Sequence, residues 1–104
     1  MARFDVYANP TATERVATPY VLDVQNDHLT PLATRVVIPL RAVKSFGKPA
    51  RSLNPLIHVE GRQVVVDTAA LAPVPVSMLR RPVMNILDSR GEVPDALDAL
   101  FGAD

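Results

Sequence analysis

Arg35-Val36-Val37-Ile38-Pro39-Leu40 is the stretch on which the reading of the fold turns. Three consecutive β-branched residues favour a pleated strand over a helix. Pro39 has no backbone N–H to give, so its part of the strand is expected at a sheet edge or a bulge. Toward the N-terminus, Tyr20-Val21-Leu22-Asp23-Val24-Gln25 reads as a second strand, stopped by Asn26-Asp27 and then Pro31. Arg3-Phe4-Asp5-Val6-Tyr7 alternates polar and apolar residues, the period of a half-buried strand. The polar stretch from Asn9 to Ala17, with Pro10 inside it, reads as a loop.

Toward the C-terminus, Val43 and Phe46 stand at helical spacing before Gly47 and Pro49. That supports one helical turn and a long basic loop through residue 55. Leu56-Ile57-His58-Val59-Glu60 and Arg62-Gln63-Val64-Val65-Val66-Asp67 flank Gly61 as the arms of a hairpin. Ala69 to Ala72 supports a short helical turn, and Pro73-Val74-Pro75-Val76-Ser77-Met78-Leu79 starts extended, at a sheet edge. The tail changes period: Val93, Ala96, Leu97 and Leu100 lie on one helical face. Ser89-Arg90-Gly91-Glu92 has the form of a capping box. Pro94 leaves two starts open, near Val93 with the proline in first position, or at Ser89 with a distortion. Five or six short strands and a terminal helix give a small twisted, partly barrel-like sheet with the helix packed on it.

Composition sets the limits. At 104 residues the chain fits one compact domain over residues 1–104, and its 48% hydrophobic content excludes disorder along the whole length. Ten scattered prolines against four glycines imply many short elements rather than long ones. No cysteine is present, which excludes disulfides and thiol catalysis and suits a cytoplasmic protein. There is no apolar run long enough to span a bilayer and no export signal in Met1-Ala2-Arg3-Phe4-Asp5, so no membrane role is expected.

Eleven acids balance eleven bases, yet they are unevenly placed. Residues 35–62 carry Arg35, Arg41, Lys44, Lys48, Arg51 and Arg62 against Glu60, a net of +5. Residues 88–104 carry Asp88, Glu92, Asp95, Asp98 and Asp104 against Arg90, a net of −4. A basic middle and an acidic tail are places for a charged partner to dock, or are two solvated surfaces.

Catalytic patterns are scarce. The glycines are isolated, so no phosphate loop is formed, and no cofactor is expected. His28 and His58 are the only histidines, and nothing in their spacing makes them an acid–base pair or a metal site. Asp23 lies mid-strand, where a buried acid needs a salt bridge or backbone contact. Asp95 and Asp98 are one helical turn apart and read as a solvated face. The residues favour a protein that binds over one that catalyses.

Four stretches in order resemble the CcdB-type toxins. Tyr20-Val21-Leu22-Asp23-Val24-Gln25-Asn26-Asp27 is similar to the family's Asp-Val-Gln-Ser-Asp signature, and Arg35–Leu40 to its Arg-x-Val-Ile-Pro-Leu strand. Leu53-Asn54-Pro55-Leu56-Ile57-His58-Val59 is similar to its Tyr/Leu-x-Pro-x-x-His stretch, and Val74-Pro75-Val76-Ser77 to its Val-Pro-Val-Ser. The resemblance implies a mainly β (α+β) fold, an SH3-like, partly open barrel of short antiparallel strands with a C-terminal α-helix. It also implies a homodimer that is not an enzyme, and that binds the breakage-reunion subunit of DNA gyrase and poisons that topoisomerase. Its neutralising partner would be a CcdA-like antitoxin, through which it meets operator DNA only indirectly, with roles in plasmid maintenance and transcription regulation.

Carried over by position, the gyrase-facing residues are Asn26, His28 and Leu29 after the second strand, and Asp98, Phe101, Gly102, Ala103 and Asp104 at the end of the helix. The family's well-known members finish Phe-Trp-Gly-Ile, whereas this chain finishes Phe101-Gly102-Ala103-Asp104 and lacks the Trp. Arg41, Lys44 and Lys48 are the expected antitoxin contacts, since antitoxin tails are commonly acidic. Two alternatives stay open: a MazF-like endoribonuclease on the same barrel, and a member that has lost gyrase and only binds antitoxin.

Overall fold

The computed structural model describes residues 2–27, 32–86 and 91–102. Seven antiparallel strands occur among them: β1 (Asp5–Ala8), β2 (Tyr20–Asp23), β3 (Thr34–Ala42), β4 (Leu56–Val59), β5 (Arg62–Val66), β6 (Ala72–Pro75) and β7 (Met84–Asn85). Two α-helices join them, α1 (Val43–Phe46) and α2 (Glu92–Phe101). Single 3-10 turns lie at Ala12–Glu14, Thr68–Ala70 and Val76–Met78. The strands form one sheet in the order β4-β5-β3-β2-β1-β7, with β6 added beside β3. It curls into a half-barrel, an open SH3-like barrel, and α2 packs on its inner side.

β3 is the hub, which corrects the expectation that Pro39 marks an edge or bulge. Along one side β3 pairs with β2, with Val21 opposite Pro39. Along the other it pairs first with β6, through Thr34 to Val37, and then with β5, through Leu40 to Ala42. Pro39 lies between those two partners. The bond from Val24 N–H to Val36 O fixes the alternation, so that even-numbered residues of β3 bond β2 and odd-numbered ones face the other side. The missing N–H of Pro39 therefore points at the handover from β6 to β5, where the facing Asp67 carbonyl accepts from Ala70 N–H instead at 3.0 Å, while the Pro39 carbonyl accepts from Asp67 N–H at 3.1 Å. A proline is tolerated in a central strand because the partner changes there.

The two prolines of β6 do mark an edge. Val76 N–H bonds Ala33 O, so Pro73 and Pro75 turn their donor-free nitrogens away from β3. The β4–β5 hairpin also forms as expected, with Glu60 at φ 53° and Gly61 at φ 77°. Both central residues are left-handed, as a type I′ turn requires. Glu60 bears the steric cost of that conformation and uses its carboxylate to accept from the Tyr20 hydroxyl at 2.6 Å.

Alternation along the strands separates two buried faces. Val6, Leu22, Val24, Ile38, Leu40, Val64 and Val66 form the inner core, with Val93 of α2 buried among them. Burying each of these side chains contributes about 1.5–3 kcal/mol. One residue along, Tyr7, Val21 and Val37 form a second cluster with Leu79, and Asp5, Asp23 and Arg35 are buried on the same side of their strands. β1 is therefore covered on both faces, not half-buried as its alternation predicts. It also starts later than Arg3, because Phe4 takes a left-handed φ of 73° and turns its ring into the core.

Candidate functional site

The tail helix begins at Gly91, which has a left-handed φ of 73° and accepts at its carbonyl from Asp95 N–H at 3.0 Å. Pro94 falls in the third helical position, still within the first turn, whose N–H groups lack intrahelical partners. Glu92 and Asp95 lie in that first turn and complement the helix dipole. The residues of the expected capping box before Gly91, and Asp88, lie outside the described residues. Val93 and Ala96 are fully buried and Leu97 packs against the core, so one face of α2 is fixed. At its end Gly102 adopts φ 71° and donates its N–H to Asp98 O at 2.8 Å, a left-handed cap.

Beyond the packed face, Phe101 stands 68% exposed and the Asp98 side chain also faces solvent. Phe101 is the most exposed aromatic ring of the described residues and sits on a helix that cannot turn without breaking the core. Asp98, Phe101 and Gly102 thus share one end of α2. Asn26 is exposed just past β2. His28, Leu29, Ala103 and Asp104 lie outside the described residues.

The basic middle is smaller than its sequence charge. Arg35 is 1% exposed and bonds Asp23 with Nε at 2.7 Å and Nη2 at 2.9 Å. Its Nη2 also lies 3.5 Å from Asp27. The hydrogen bonds to Asp23 come first among the causes that hold this guanidinium above its ordinary value, although burial opposes them. Arg35 must therefore be removed from the docking surface, because a buried acid takes its charge. Its Nη1 is buried without a hydrogen-bond partner. Arg41 is engaged as well: Nε donates to Asp67 at 3.0 Å and Nη1 to the Thr18 hydroxyl at 2.7 Å. Lys44 on α1 and Lys48 in the following loop are exposed, next to Val43, which is 40% exposed.

The same buried face perturbs a phenol. Burial, then the charges of Asp5 and Asp23, push Tyr7 up to about 12. Tyr20 is also raised, first by burial and then by its bond to Glu60. Among the described residues no group of three or more His, Asp or Glu side chains could hold a metal ion. His58 is exposed on the edge strand β4. No described helix is long and apolar enough to cross a membrane.

Arg15, Arg80 and Arg81 escape a sequence reading directed at the middle and the tail. They line one groove of about 500 Å³ floored by Tyr7, between the Pro10 loop and the segment after the Val76–Met78 turn. The adjacent pair Arg80-Arg81 was the available signal, diluted by a segment net of only +1 for residues 63–87.

Comparison with family models agrees with this architecture. The model described as CcdB protein matches residues 3–102 of the 104, and the chain therefore belongs to the CcdB family, the toxins of toxin–antitoxin systems.

Proposed function

We propose that this chain arrests growth by binding the breakage-reunion subunit of DNA gyrase through the end of α2, as a homodimer, and that a CcdA-like antitoxin relieves it. The observation that carries the reading is Phe101, 68% exposed at the end of a helix whose opposite face is locked into the core. A rigidly held aromatic ring loses little freedom on binding and can act as an interface hot spot worth about 2 kcal/mol or more. The absence of the family's Trp leaves Phe101 as the sole aromatic at this end. Lys44 and Lys48 supply exposed charge for an acidic antitoxin segment, with Val43 as apolar contact.

The test is growth on induction together with gyrase cleavage-complex formation by the purified protein. Phe101→Ala is expected to abolish both while leaving dimerisation and antitoxin binding intact. An equally toxic Phe101→Ala variant would remove α2 as the effector, and RNA cleavage by the wild type would replace the gyrase reading. Sedimentation is expected to give about twice the 11.3 kDa chain mass. Lys44→Glu with Lys48→Glu is expected to slow antitoxin association and flatten its salt dependence.

A further inference from the structure

Arg35 does more than neutralise Asp23. Its Nη2 also donates to the Gln25 carbonyl at 3.4 Å and lies 3.5 Å from Asp27 Oδ1, so one guanidinium spans the chain as it leaves β2. Gln25 is held at two further atoms. Its N–H donates to Asp23 Oδ1 at 3.0 Å, and its Oε1 accepts from Val36 N–H at 3.0 Å. Asp27 is held from the N-terminal segment, because its Oδ1 accepts from Arg3 N–H at 2.8 Å. Arg3 in turn donates Nε to the Val24 carbonyl at 3.2 Å. Asn26 lies between these two anchored residues and is exposed.

The anchors differ in what they can contribute. Asp23 and Arg35 are buried, and the fold depends on their pairing. The Asp27 side chain is 58% exposed, and a carboxylate that wet adds little to stability through an ion pair. Its contacts can still restrict the backbone beside it. A loop residue left free must surrender its motion on meeting a partner, whereas one already held does not.

We propose that Asp27 is a positioning residue: with the Arg3 amide and Arg35 it holds Asn26 in the orientation that meets the gyrase subunit. This role rests on the gyrase reading given above and extends it to a group that acts through Asn26. The bond to Arg3 N–H matters most, because it is short, whereas the 3.5 Å approach to Arg35 is longer than an ordinary hydrogen bond. An asparagine at position 27 keeps an oxygen for that amide, and an alanine does not.

The experiment compares the 104-residue chain with its Asp27→Ala and Asp27→Asn variants. Three quantities are measured: affinity for the purified breakage-reunion subunit, melting temperature, and the NMR order parameter of the Asn26 backbone. Asp27→Ala is expected to weaken subunit binding by about tenfold, the scale of ordering one flexible residue. It should leave the melting temperature within about 4 °C of the wild type. Asp27→Asn is expected to restore most of the affinity. The order parameter of Asn26 should match that of β2 in the wild type and in Asp27→Asn, and fall below about 0.6 in Asp27→Ala.

Wild-type affinity in Asp27→Ala overturns the proposal, and so does an Asn26 that stays as ordered in that variant as in the wild type. Lost binding that accompanies a large drop in melting temperature, or that Asp27→Asn fails to restore, also overturns it, since Asp27 would then be a structural brace. A wild type that binds no gyrase overturns the gyrase reading alone, and the order parameters then decide whether Asp27 holds Asn26.

Discussion

The inner face of the β1–β2–β3 sheet and the face behind it are both shut off from water, but only the second buries an ion pair among its apolar side chains. Val6, Leu22, Ile38 and Leu40 meet α2 with nothing but hydrocarbon. One residue along the same strands, beside the cluster of Tyr7, Val21 and Val37, Asp23 and Arg35 are buried to 0% and 1% exposure and neutralise each other's charge across β2 and β3. An apolar face loses stability in proportion to the volume removed from it. An ionic face fails abruptly, since taking away one partner leaves a charge that has neither water nor counter-ion. The difference teaches where this fold is graded and where it is all-or-none.

The sharpest way to break the contrast is Asp23→Ala, which strands Arg35. It is expected to cost about 3–5 kcal/mol in urea unfolding, whereas the joint change Asp23→Leu with Arg35→Met should recover most of the loss. If the double variant is as unstable as the single one, the charges contribute more than mutual compensation. Next in size, Leu22→Ala on the inner face should cost about 3 kcal/mol with an unchanged urea slope, as a cavity does.

A pH series sharpens the comparison from the other side. Tyr7 holds its proton to about pH 12 in the folded chain, against about 10 for a free phenol. Between those values the unfolded chain has released a proton that the folded chain retains, so stability falls as pH rises through the interval and is whole below it. The loss should approach roughly 2–3 kcal/mol, and Tyr7→Phe should lack it. Parallel curves for the two proteins would show that the phenol is not the sensor. The smallest effect belongs to the exposed tail: Phe101→Ala should change stability by less than about 0.5 kcal/mol, because nothing in the fold rests on the ring.

The inner face was the legible one. Val-Leu-Asp-Val and Val-Val-Ile-Pro-Leu announce strands through β-branching, Glu60-Gly61 announces its turn, and Val93, Ala96 and Leu97 announce the helix face. Asp23 could be marked as an acid needing a partner, but Arg35 could equally be counted as surface charge, since pairing across strands depends on register. Pro39 misleads for the same reason. Whether its missing donor matters is decided by what lies opposite, and that is a handover between β6 and β5 which no local pattern encodes. β7 is too short to carry a period, and it forms because β1 offers Asp5 and Val6 to pair with Asn85 and Met84. At the tail, Phe101 stands out by position, and its exposure follows from the face that Val93 and Ala96 commit to the core.

The pairing of β1 with β7 sets an order of events during synthesis. Asp5 lies opposite Asn85, and the Asn85 amide donates to both the Arg3 carbonyl and the Asp5 carboxylate, so the first strand waits for about eighty residues of chain before it gains its outer neighbour. β2 and β3 can meet across a much shorter interval and serve as the early template. Joining such distant segments is slow in proportion to the chain that must be searched, and a ribosome-bound chain leaves that side of β1 open as an unpaired edge. α2 follows β7 in the chain and packs on the inner core, so the segment bearing Phe101 is held in place only after the sheet has been drawn shut.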